Sequence, residues 1–271
     1  MRLTAEYGAL ATLLAVVVCV MTSCSRKANE RWTPPENPNP QAILDEAEQD
    51  AAAERYENAL AKHVWFHENA LKIQPSLYGV RLSFALSAWT EMAKSYPPAL
   101  EKLKSVRIEA DKEIREGKAS RDLFHDFVAI NEYLEEDDKT KELFRWLDAN
   151  NPSMAKSVFD IAEPALVKAK EYRLCGNYLD PNASFQRMLD LYRNNRQRVS
   201  KNPKIRKDML REYAETSFLH ETTTLVALLT VNGRKDEADR IATEAAREWD
   251  DPKFKAQLEK SKNGEFPAPW P

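Results

Sequence analysis

Apolar side chains recur every three or four residues through most of this chain, and no stretch alternates apolar and polar with period two. The stripe Tyr56, Ala59, Leu60, His63, Phe66, His67, Ala70, Leu71 is representative: each member falls on one face of a helix. This pattern predicts helices over 41–54, 56–73, 77–95, 98–116, 120–135, 139–149, 153–170, 171–179, 183–200, 204–231, 235–249 and 253–262. The breaks carry start signals. Asn39-Pro40, Asn151-Pro152, Asn202-Pro203 and Asp251-Pro252 each set a capping side chain before a proline, which suits the first turn of a helix. The last three prolines are 51 and 49 residues apart, while Pro75 stands 77 residues before Pro152. A spacing near fifty predicts repeated pairs of long helices in an all-α fold.

Composition agrees. Of 271 residues, 31% are charged, 43% are hydrophobic and only six are glycine, which favours helix over a turn-rich sheet protein. The net charge is -3, from 40 basic and 43 acidic residues, so no global field favours nucleic acid.

The exception to the periodicity is the N-terminal run. Residues 7–25 are uncharged, and the strongly apolar part, Ala9 to Met21, is thirteen residues long. That length suits the core of a signal peptide and is short for a membrane span, which needs about 20 residues. Met21-Thr22-Ser23-Cys24 resembles the lipobox of bacterial lipoproteins, with Met where Leu is usual. The resemblance implies cleavage before Cys24, acylation of its thiol and an extracytoplasmic protein anchored in the bacterial envelope. An uncleaved signal-anchor and a cytoplasmic protein with a fortuitous motif are the alternatives. Residues 1–23 then form the signal peptide and 24–40, with four prolines between Pro34 and Pro40, an extended spacer. Residues 41–262 form the helical domain and 263–271 a proline and aromatic tail.

Within the domain, "NGRKDEADRIATEAAREWDDP" places Gly233, Ala238 and Ala245 at intervals of five and seven, with Leu225 upstream. This resembles the second half of a tetratricopeptide repeat, where a glycine closes the turn and two small residues let helices approach. Thr222 and Lys235 stand where that motif carries Trp and Tyr, and Pro252 comes late. "HENALKIQP" resembles a repeat's end and "ERYENAL" the start of a second helix, although Ala59 and Ala70 lie eleven apart. "KAKEYRLC" is a third copy with Cys175 in the small-residue slot. The stretch from His63 to Trp89 is also similar to bacterial proteins described as repeat-containing. These resemblances imply a solenoid of antiparallel helix pairs with degenerate repeats, whose concave surface binds a protein or peptide, and no activity.

Candidate chemistry is sparse. His63 and His67, at i and i+4, share a helix face and could chelate a metal, but only His125 and His220 remain as further histidines. A hydrogen bond to the next helix, to Ser83 or to a backbone carbonyl, is the plainer expectation. Neither His67-Glu68 nor His220-Glu221 completes an HExxH motif. Cys175 has no neighbouring base and reads as a small core residue. No catalytic residue, cofactor or resident metal is expected. The candidate binding residues are His63, His67, Trp65, Tyr78 and Arg81. Arg193 to Lys207 holds seven basic residues and no acid, and reads as a solvated helix end or as a contact for an anionic lipid or acidic partner. The tail "EFPAPWP" either lies back on the last helix as a cap or docks into a partner's aromatic groove.

Overall fold

A computed structural model describes residues 31–201 and 207–268. The signal, the lipobox, the Asn202-Pro203 break and Trp270 lie outside the described residues. The described residues are mainly helical, with no strand among them. The helices are α1 Pro40–Ala52, α2 Tyr56–Ile73, α3 Tyr78–Leu82, α4 Phe84–Ser95, α5 Pro97–Glu113, α6 Arg121–Tyr133, α7 Asp137–Asn150, α8 Pro152–Lys168, α9 Tyr172–Gly176, α10 Pro181–Lys201, α11 Lys207–Val231, α12 Lys235–Glu248 and α13 Pro252–Lys262. None is long and apolar enough to cross a membrane. The chain divides into two compact units, one ending at Val106 and the other beginning at Arg107, inside α5.

The starts follow from local chemistry. Asn39, Asn151, Asp180 and Asp251 each accept a hydrogen bond from the backbone N–H three residues on, and each is followed by proline at the first helical position. The side chain satisfies one of the orphan donors, and proline supplies the required φ without needing a donor of its own.

The ends follow an equally local rule. After α1, α6, α8 and α11 the chain turns through one residue with positive φ: Glu54, Glu135, Lys170 and Gly233. In every case that residue's N–H donates three residues back and the next N–H donates five back. This is the Schellman arrangement, which pairs the last carbonyls of the helix. The fifth residue after each turn is small and buried: Ala59, Thr140, Cys175 and Ala238. Four helix-turn-helix joints thus share one geometry and one packing register. Thr140 keeps its hydroxyl satisfied there because Asn131 donates to it at 3.0 Å, and Asn131 accepts in turn from buried Arg107.

The predicted helix over 77–95 is broken. A 3-10 turn at Pro75–Leu77 precedes α3, and Ser83, at φ -124 and ψ -89, separates α3 from α4. The Ser83 hydroxyl donates back to the Gly79 carbonyl at 2.7 Å, competing with the backbone ladder.

In the first unit, α2 packs on α1, α3 and α4 around Leu44, Phe66, Ala70, Leu77 and Ala85. In the second, α8 packs on both α6 and α7, and α13 on both α11 and α12. Helix α11 is the centre of this unit, in contact with α9, α10, α12 and α13. Its run Leu225 to Leu229 is entirely buried, so it shows no polar face.

Candidate functional site

The five candidate binding residues do not form one surface. His63 and His67 point from α2 toward Trp89 of α4. His63 stacks on the indole with centroids 5.8 Å apart and planes at 25°, and His67 meets it edge-on at 6.3 Å. Arg81, buried, brings its Nη1 to 3.4 Å from His67 Nε2 and donates to the His67 carbonyl at 3.3 Å. Trp89 is fixed by its Nε1–H, which donates to the Ala99 carbonyl at 3.0 Å.

The expected hydrogen bond from His63 to Ser83 or a carbonyl is not made. Both ring nitrogens of His63 are buried without a partner, and the Ser83 hydroxyl is used within α3. Burial pushes the His63 imidazole down to about 4. Burial, then the charges of Arg81 and Lys102, push His67 down to about 3. Both rings are therefore neutral at neutral pH. Among the described residues no group of three or more potential ligands could hold a metal, and the cations beside His67 oppose one.

Trp65 lies elsewhere on α2. It packs edge-on against Trp32 at 6.3 Å. The Trp32 backbone N–H donates to Asn58 Oδ1 at 3.0 Å, and Lys62 lies over its ring at 5.8 Å. Lys62 is buried and also bridges Asp50 at 2.8 Å and Glu46 at 2.9 Å. Residues 31–39, before α1, are non-helical, but Trp32 is docked rather than free. Tyr78, at the start of α3, is half-buried.

The second unit holds a cleft of about 600 Å³ that periodicity alone does not reveal. It lies where α7, the turn into α9 and the end of α11 meet, lined by Arg145, Asp148, Glu171, Arg173, Asn177 and Asn232 among others. Its walls are braced. Arg145 pairs with Glu171, the Tyr178 hydroxyl donates to Asp148, and the Asn232 amide donates to the Tyr172 and Leu228 carbonyls, both at 2.8 Å. A methyl at Gly176 would overlap the Asn232 amide and force it to move.

Beside it, the tail folds back. Gly264, at φ +85, reverses the chain, and a side chain there would press on Val231. Phe266 then stacks on Tyr172 with centroids 4.2 Å apart and planes at 9°. His220 hydrogen-bonds the Ala268 backbone. The tail thus lies on α9 and α11 rather than only on the last helix.

Cys175 is fully buried, which pushes its thiol up to about 12. Within the basic run, Arg193 pairs with Glu248 and Arg196 stacks on Tyr192 and donates to its hydroxyl at 2.8 Å. Of the same run, the side chains of Lys201, Lys204, Arg206 and Lys207 lie outside the described residues. Glu163 is pushed up to about 7, by burial first and then by the charge of Glu221, against the pull of Arg187. Comparison of the chain with protein-family models, with curated proteins and with solved structures finds no match.

Proposed function

We propose that this protein is a tetratricopeptide-like repeat scaffold, held on the bacterial envelope through Cys24, that binds an extended segment of a protein partner without a chemical step. The recurrence of one joint carries the reading. A Schellman turn followed five residues later by a small buried residue appears at Glu54, Glu135, Lys170 and Gly233. Packing of α8 on α6 and α7, and of α13 on α11 and α12, is what stacked helix pairs require. The braced cleft at Arg145, Arg173 and Asn177 is a place for a segment to lie.

The test is photo-crosslinking in intact cells, with a benzophenone amino acid at Asn177 in the cleft and, as control, at exposed Lys94 of α4. A discrete adduct from Asn177 alone is expected, and equal labelling at both sites sinks the scaffold reading. Mass spectrometry of the mature N-terminus tests the anchor separately. Acylated Cys24 is expected, and an intact Met1 on cytosolic protein supports the cytoplasmic alternative.

A further inference from the structure

The tail stands out because it is an extended proline and aromatic segment already lying on a helical surface. We infer that the groove between α9 and α11 is a binding site for an extended partner segment with an aromatic residue beside proline, and that this chain's own tail is its resident competitor. This rests on the segment-binding part of the proposal above and names the ligand chemistry.

Three observations place the groove. Tyr172 offers a flat ring that Phe266 covers in nearly parallel stacking. Along α11, His220, Thr224, Ala227 and Val231 follow the i, i+4, i+7, i+11 pattern and so share one stripe. Gly264 meets the Val231 end of that stripe and Ala268 the His220 end. Eleven helical residues span about 16 Å, and four extended residues span about 13 Å. The tail therefore runs lengthwise along the stripe. Thr224 sits between the two ends, 7% exposed, with its hydroxyl buried and unpartnered. The docked tail leaves that donor unsatisfied, so a partner segment that brings a backbone carbonyl to it gains a hydrogen bond the tail does not make.

The chemistry selects the ligand. A proline-rich segment is already extended, so binding it costs little order, and each aromatic ring adds a stacking contact on Tyr172. The tail itself is tied to α13 through Asn263, Gly264 and Glu265. So short a link presents Phe266 to the groove at an effective concentration of about millimolar, which a partner must overcome.

The experiment measures anisotropy of a fluorescein-labelled peptide of sequence Glu265–Pro271 with the full chain. Wild type is expected to bind weakly, and Phe266→Ser at least tenfold more tightly. Adding Tyr172→Ala to Phe266→Ser should abolish the gain, and a scrambled peptide should show none. If Phe266→Ser is folded by circular dichroism and binds no better than wild type, the groove is only a capping surface and the inference fails. Should that variant not fold, wild-type protein carrying 4-fluorophenylalanine at 266 gives the same answer. Millimolar unlabelled peptide should move its fluorine resonance toward the solvent value, and an unmoved resonance overturns the inference. Retention of the Asn177 adduct in cells, with neither peptide effect, would remove this inference alone. Loss of both would remove the scaffold reading too.

Discussion

The helix pairs α1–α2 and α6–α7 are joined by the same turn and diverge in what they bury. Nine residues after Glu54 comes His63, and nine after Glu135 comes Phe144. Both are buried. Phe144 meets Phe159 at 6.1 Å and Tyr178 at 5.3 Å, and its core needs no polar partner. His63 meets Trp89 with two ring nitrogens left unpaired. One backbone frame thus accepts an apolar core in one unit and a neutral imidazole core in the other. The difference is in how stability responds to protons. The imidazoles bind fewer protons when folded, so the first unit should weaken on acidification. Glu163, in the second unit, binds more protons when folded, so its contribution weakens as pH rises.

The bluntest way to break the comparison is to remove its hubs. Trp89→Ala and Phe144→Ala should each cost about 3–5 kcal/mol in denaturant unfolding. The aromatic loss should be similar in both units, because both rings are fully enclosed.

Acid separates them. The unfolded pKa of histidine is near 6.5 and that of folded His63 about 4, so its share of stability is complete above 6.5 and declines as pH falls toward 4. That interval is worth roughly 3 kcal/mol at its lower end. Protection factors of α2 amides, corrected for the intrinsic pH dependence of exchange, should fall over it while those of α8 amides change less. His63→Leu should flatten the α2 response, and an unchanged slope would mean that the buried ring is not what senses protons.

Glu163 gives the opposite sign. Its folded pKa is raised to about 7 from 4.5, so the penalty for ionising it grows as pH rises through that interval. Glu163→Gln should stabilise α8 at pH 8 by about 1 kcal/mol, after allowance for partial solvent screening, and should leave stability at pH 4.5 nearly unchanged.

The smallest effect sharpens the common element. Glu135 holds φ 56 without being glycine. Glu135→Gly should raise stability by about 0.5–1 kcal/mol, and Gly233→Ala at the matching turn should lower it by about 1 kcal/mol, both read from thermal unfolding.

How much of this was legible depends on where the deciding contact lies. Asx-Pro pairs announce helix starts because cap and donor are three residues apart, and most predicted helix limits fall within a few residues of the observed ones. Gly233 announces its turn because glycine accepts positive φ freely. Glu54, Glu135 and Lys170 make the same turn silently, since their conformation is imposed by the packing of the helices they join. Ser83 breaks a helix that its neighbours would continue, its hydroxyl turning back to the Gly79 carbonyl. The candidate site was least legible. The stripe puts His63 and His67 on the apolar face, and His67 meets Arg81 of the next helix, but His63 faces an indole where a hydrogen-bonded partner is expected. Arg145 meets Glu171 across 26 residues, and Tyr172 meets Phe266 across more, so no local pattern could pair them.

The docking of Trp32 bears on how far the molecule can roam. Eight residues separate Cys24 from Trp32, and fifteen separate it from Asn39 at the start of α1. If the proposed anchor is at Cys24, the leash would be at most ~28 Å with the indole seated on α2 and ~53 Å with it released. The volume searched by the tethered body grows as the cube of that length, by a factor of about seven. On the proposed anchoring at Cys24, one indole seated against Trp65 and Lys62 would set how far the body reaches from its point of attachment.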